Sequence, residues 1–83
     1  MIEKVIIIKS ANGLHARPAG IFAKKATEFI SAITVKSAKG SANAKSIMSI
    51  MSLGIDQGAE ITIVAEGTDE SVAINELTKI LEA

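Results

Sequence analysis

The sequence predicts an α+β fold, a two-layer open-faced sandwich in which a four-stranded antiparallel sheet carries three helices on one face in the order β-α-β-β-α-β-α. Three observations predict it. Segments whose apolar residues alternate are interleaved with segments whose apolar residues recur at three- and four-residue spacing. Turn formers such as Asn12-Gly13, Lys39-Gly40 and Gly54 separate them. Sheet and helices each offer an apolar face, and stacking those faces is the simplest way to bury both.

Taken in order, Ile2 to Ile8 is rich in β-branched residues and ends before Asn12-Gly13. It reads as a strand, and as a central one, because both of its faces are apolar. Arg17 to about Phe29 reads as an amphipathic helix. Ala19, Phe22, Ala26, Phe29 and Ile30 fall on its apolar stripe, and Lys24, Lys25 and Glu28 lie elsewhere. Gly20 inside it costs about 1 kcal/mol against alanine, which a close contact would explain. Ile33 and Val35 alternate with Thr34 and Lys36 in a second strand, and Lys39-Gly40 reads as a hairpin turn into a short strand around Ser41 to Ala44. Ser46 can cap a short helix with Ile47, Ile50 and Met51 on its apolar face, ending at Gly54. Ile61, Ile63 and Ala65 alternate with Glu60, Thr62 and Glu66 in the fourth strand. Thr68 can cap the last helix, with Asp69 and Glu70 in its first turn, where the dipole favours acids. Ala73, Leu77, Ile80 and Leu81 form its buried stripe.

With 83 residues, a single domain over residues 1–83 is expected, and 48% hydrophobic residues can supply its core. There is no cysteine and only one histidine, which excludes disulfides and Cys- or His-rich metal sites. No cluster of acids suggests a carboxylate metal site, so no metal and no cofactor is expected. Nine basic residues balance nine acidic ones and the only aromatics are Phe22 and Phe29. A nucleic-acid binder usually carries a basic excess and stacking aromatics. The longest apolar run, Val5 to Ile8, is far too short to span a bilayer, and no signal-peptide pattern is present. A cytoplasmic monomer without membrane insertion is the expectation.

The segment that carries chemistry is Gly13-Leu14-His15-Ala16-Arg17-Pro18-Ala19, where a loop enters a helix. Pro18 is tolerated in the first turn because its missing N–H would have no intrahelical partner. His15 then sits at or just before the helix start, where free N–H groups and the positive end of the dipole favour an anion. Arg17 can bring a planar donor fork to the same spot. A phosphate would meet a nucleophilic imidazole, backbone donors and a guanidinium together, and phosphoryl transfer needs mainly such positioning and electrostatics. On spacing alone, a surface histidine at an ordinary helix start is the commoner reading, and Ser46 is most simply a plain N-cap.

Gly13-Leu14-His15-Ala16-Arg17-Pro18-Ala19 resembles the active-site motif of the HPr family, the phosphocarriers of the phosphoenolpyruvate-dependent sugar phosphotransferase system. Independently, the stretch from Asn43 through Ala44-Lys45-Ser46-Ile47-Met48 to Gly54 resembles that family's regulatory serine region. Gly58, Glu66-Gly67 and Asp69-Glu70 fit as well, so the resemblance covers essentially the whole chain. It implies that His15 is phosphorylated on Nδ1 by enzyme I and passes the group to enzyme II A domains, with Arg17 and the helix start at Ala16 helping to hold it. Ser46 matches the serine modified by HPr kinase/phosphorylase, which ties the family to a regulator of carbon catabolite repression. Such a protein is a carrier rather than an enzyme turning over a small molecule. The resemblance also implies a docking face made of Ala16, Gly20, Lys24, Ile47, Met48 and Met51. Gly20 and the end of the chain at Ala83 are its departures from the family pattern.

Two other readings compete. A purely regulatory relative would act through Ser46, but His15 and Arg17 are both retained. A small phosphate-ester or acyl-phosphate hydrolase would need a second polar group to place water, and none lies beside His15 in sequence.

Overall fold

The computed structural model describes residues 1–11 and 13–82. Its elements are β1 (Ile2–Ile7), α1 (Ala16–Ala26), β2 (Ala32–Ser37), β3 (Gly40–Asn43), α2 (Ile47–Ser52), β4 (Glu60–Glu66) and α3 (Glu70–Glu82). The four strands form one antiparallel sheet in the order β1-β4-β2-β3. Because β1 and β2 both run antiparallel to β4, they are parallel to each other, with β4 inserted between them. The inward row runs across the sheet through the register pairs Ile6↔Ile61, Ile33↔Ala65, Val35↔Ile63 and Val35↔Ala42. Against it the helices bury Ala19, Phe22, Ala23, Ala26, Ile50, Ala73, Ile74, Leu77 and Leu81 in a single apolar cluster.

The structure departs from the sequence expectations at several elements. The first strand lies at the sheet edge, not its centre. Val5 and Ile7 face the open side opposite Thr62 and Glu60 and are exposed. Their apolar character serves strand propensity rather than burial, because the helices cover one face only. The first helix ends at Ala26, where Thr27 turns its hydroxyl back onto the Lys24 carbonyl at 2.6 Å. Phe29 still packs against the core, but Ile30 is 77% exposed, its backbone N–H held by Asp69 at 3.0 Å. In the β2–β3 hairpin Ser37 pairs with Gly40, so Ala38-Lys39 is the turn and Gly40 already belongs to β3.

Ser46 does cap α2, accepting the Ser49 N–H at 3.3 Å. Of the three residues expected on the apolar face of that helix, only Ile50 is buried; Ile47 and Met51 are exposed. The last helix is not capped by Thr68. Asp69 directly precedes it, and the Asp69 carbonyl accepts the Ala73 N–H at 2.9 Å. The Asp69 carboxylate turns away to the Ile30 and Ser31 amides, at 3.0 Å each, and to the Ser31 hydroxyl. Ile74 joins the buried stripe of α3, and Ile80 lies at its half-buried margin.

Candidate functional site

The site is assembled by two loops lying side by side. Leu14 is buried and donates its backbone N–H to the Ile55 carbonyl at 2.9 Å, which ties the loop before α1 to the segment after α2. Gly13, at φ 63°, fits into that contact. The chain then rises into α1 with His15 as N-cap in an extended conformation, φ −110° and ψ 168°, and its side chain makes no capping bond. The ring is therefore not held by the helix's own amides.

At the helix start, the Ala19 N–H already bonds the His15 carbonyl at 3.1 Å, and Pro18 has no N–H. That leaves the amides of Ala16 and Arg17, neither of which bonds another described residue. Two adjacent unpaired donors at the positive end of a helix form a small anion cradle. Ala16 reaches it with φ 27°, a value rare for a residue with a Cβ and costing about 1–3 kcal/mol. Arg17 is exposed and enters no ion pair among the described residues, so its guanidinium is available to the same spot.

Sequence reasoning missed one residue of the site. Asp56 Oδ1 lies 2.8 Å from His15 Nε2, with the histidine side chain 40% and the carboxylate side chain 77% exposed. A carboxylate can only accept, so Nε2 carries the hydrogen, and in the neutral ring the lone pair is left on Nδ1. The hydrogen bond from His15 holds the Asp56 carboxyl below the usual carboxylate range, with the His15 and Lys39 charges adding to the effect against a desolvation cost. Nothing local in the sequence marks Asp56, because the loop pairing that delivers it is tertiary.

The remaining expected residues lie on a surface made by α1 and α2, which pack against each other. Ala16 and Lys24 are exposed on α1, and Gly20 is half-buried. A Cβ on Gly20 would meet nothing within 4 Å, so no internal close contact explains this glycine. On α2, Ile47 and Met51 are exposed and Met48 is 80% exposed. Ser46 is half-buried at the start of that helix. Lys45 beside it is tied to the Phe29 carbonyl at 2.7 Å. His15 lines neither of two open surface grooves, one of about 380 Å³ between Lys36, Lys39, Leu53 and Glu60 and one of about 580 Å³ between Ile30, Thr34, Ser41 and Lys45. Among the described residues no group of acids or histidines could hold a metal ion, and no helix is long and apolar enough to cross a membrane.

A family model described as the PTS HPr component phosphorylation site matches residues 2–83. The chain belongs to the HPr family. The phosphocarrier protein HPr of Borreliella burgdorferi is 43% identical to it over 83 residues, covering 100% of this chain and 96% of the relative. The HPr-like protein Crh of Halalkalibacterium halodurans is 43% identical over 82 residues, covering 99% and 98%. Among solved structures, the crystal structure of HPr-C-His from Thermoanaerobacter tengcongensis superimposes with a TM-score of 0.95 at 49% identity. That match covers 99% of this chain and 92% of that one. The α+β sandwich derived from the periodicity is thus the HPr fold, and the family ties the chain to the phosphotransferase system.

Proposed function

We propose that this chain, acting over residues 1–83 as one unit, is a cytoplasmic phosphocarrier of the sugar phosphotransferase system. His15 Nδ1 takes a phosphoryl group from enzyme I, itself charged from phosphoenolpyruvate, and hands it to enzyme II A domains. The observation that carries the reading is the part-exposed His15 side chain at the N-cap of α1, directly before the unpaired amides of Ala16 and Arg17. In acceptance the Nδ1 lone pair bonds phosphorus as the bond to the donor breaks, and the donor keeps that electron pair. The Ala16 and Arg17 amides and the Arg17 guanidinium receive the phosphoryl oxygens. An exposed ring suits a carrier that must meet one partner after another.

The apolar residues Ile47, Met48 and Met51, with Ala16, Gly20 and Lys24, form the face on which those partners dock; methionine adapts to several surfaces. Ser46 is a regulatory phosphorylation site for a kinase/phosphorylase. A phosphate there is compatible with its place at a helix N-terminus, and the modified face would engage a catabolite-repression regulator. The working form is a monomer. Asp56 offers the second polar group that a hydrolase would need, but it is bonded to the Nε2 edge of the ring, away from Nδ1. The carrier reading therefore stands ahead.

Intact-protein mass spectrometry after incubation with enzyme I, magnesium and phosphoenolpyruvate tests the proposal. One acid-labile phosphate is expected, absent in His15→Ala. A normally phosphorylated His15→Ala variant would overturn His15 as the site.

A further inference from the structure

We infer that Asp56 is a positioning residue for the phosphoryl relay, keeping the hydrogen on His15 Nε2 through both halves of the cycle. The inference rests on the carrier reading and adds a residue outside the helix start to it. Its basis is the 2.8 Å contact between Asp56 Oδ1 and His15 Nε2, delivered by a loop 41 positions away.

Before transfer, the acceptor-only carboxylate fixes the Nε2–H form of the neutral ring, so the lone pair stands on Nδ1. When Nδ1 bonds phosphorus, the ring gains one positive charge and keeps its Nε2 hydrogen, and Asp56 lies against that charge. In donation the N–P bond breaks, its electron pair returns to Nδ1, and the ring departs as neutral imidazole. No proton has to enter or leave the ring in either direction. Without the Nε2 hydrogen, the same step would have to expel an imidazolate, a far poorer leaving group. Asp56 thus extends the range of pH over which the phosphorylated ring stays ready to donate.

The charged groups around the pair are few. Lys39, in the β2–β3 turn, also acts on the Asp56 charge, and its ammonium is itself bonded to the Gly54 carbonyl at 3.2 Å. Arg17 stands, exposed, on the first turn of α1. Neither can take over the role of accepting the Nε2 hydrogen, since both only donate.

The test follows loss of phosphate to water from the isolated phosphoprotein between about pH 6 and pH 9, by intact mass, for wild type, Asp56→Asn and Asp56→Glu. Water as acceptor removes any effect of Asp56 on partner docking. A carboxylate beside the ring stabilises its cationic form, so removing it moves the fall-off in rate to lower pH. Equal rates are expected near pH 6. Near pH 8, Asp56→Asn should be about three- to tenfold slower than wild type, with Asp56→Glu recovering part of the difference. Superimposable profiles, or a uniform loss at every pH, would overturn the inference. In parallel, ¹⁵N shifts of the unphosphorylated neutral ring should report the Nε2–H form in wild type and a mixture in Asp56→Ala; identical spectra would also overturn it. Failure of the wild type to take phosphate would instead overturn the carrier reading, leaving the ring spectra to judge Asp56.

Discussion

Gly13 lies directly against the backbone of Ile55. A Cβ built on it would run into the Ile55 carbonyl oxygen and sit 2.9 Å from the Asp56 Cα. The two loops that bring His15 to Asp56 can therefore touch only while position 13 lacks a side chain. Gly13→Ala should lose at least about 1–2 kcal/mol from the left-handed backbone alone, before the clash is counted. Urea unfolding measures that loss. Phosphoryl acceptance from enzyme I should also slow, because relief of the clash pushes the loops apart. A variant of wild-type stability and rate would show that the loops do not need this contact.

Gly20 is the opposite case. Its backbone is helical and open space surrounds it, so nothing inside the molecule requires a glycine. Gly20→Ala should stabilise the fold by roughly 0.5–1 kcal/mol through helix propensity. A higher unfolding midpoint with an unchanged denaturant slope is the expected signature. If acceptance from enzyme I slows while stability rises, the glycine serves close approach of the partner.

The Asp69 carboxylate ties the start of α3 to the turn before β2, and this makes stability depend on pH. The Ser31 hydroxyl, then the Ile30 and Ser31 amides, hold the Asp69 carboxyl below its ordinary range against a desolvation cost. A carboxyl lowered in the folded state adds stability above its unfolded value and loses it as pH falls through the folded value. Wild type should thus weaken on acidification below the ordinary carboxylate range. Asp69→Ala should be less stable at neutral pH and show a shallower acid dependence. Parallel pH–stability curves for the two proteins would remove Asp69 from the acid response. Asp56 and Glu70, both lowered as well, contribute with the same sign and keep the variant from becoming flat.

Ser46→Asp separates folding from control. Aspartate is as good an N-cap as serine, so stability should stay within about 0.5 kcal/mol of wild type. Its charge, however, sits beside the exposed Ile47 and Met48. Acceptance from enzyme I should slow, and protein carrying phosphoserine should slow further. An unchanged rate in both would argue against Ser46 as a control point.

Much of this molecule is legible in its residues, and what is not has physical causes. Ile33-Thr34-Val35 alternates because one face of the sheet is covered and the other open, so its burial could be read directly. Val5 and Ile7 misled for the same reason: β-branched side chains favour a strand whether or not anything covers them. Periodicity carries α1 on to Phe29, which continues the helical spacing, while Thr27 and Asp69 redirect the chain after Ala26 through bonds that periodicity does not encode. His15, Arg17 and Ser46 were visible because helix starts carry local signatures. Asp56 was invisible because it belongs to a pairing of distant loops. The motif told where an anion could sit, but not what stands on the other edge of the ring.

The insertion of β4 between β1 and β2 has a kinetic consequence. The pairs Ile2↔Ala65 and Ile33↔Ala65 both wait for a strand made late in the chain. A nascent polypeptide can form α1 and the β2–β3 hairpin early, yet it cannot join its first strand to the rest until β4 emerges. Closing so long a loop is slow compared with local pairing. The imidazole and its carboxylate partner are drawn together by the same late closure, so reactivity and completed folding should emerge as a single event.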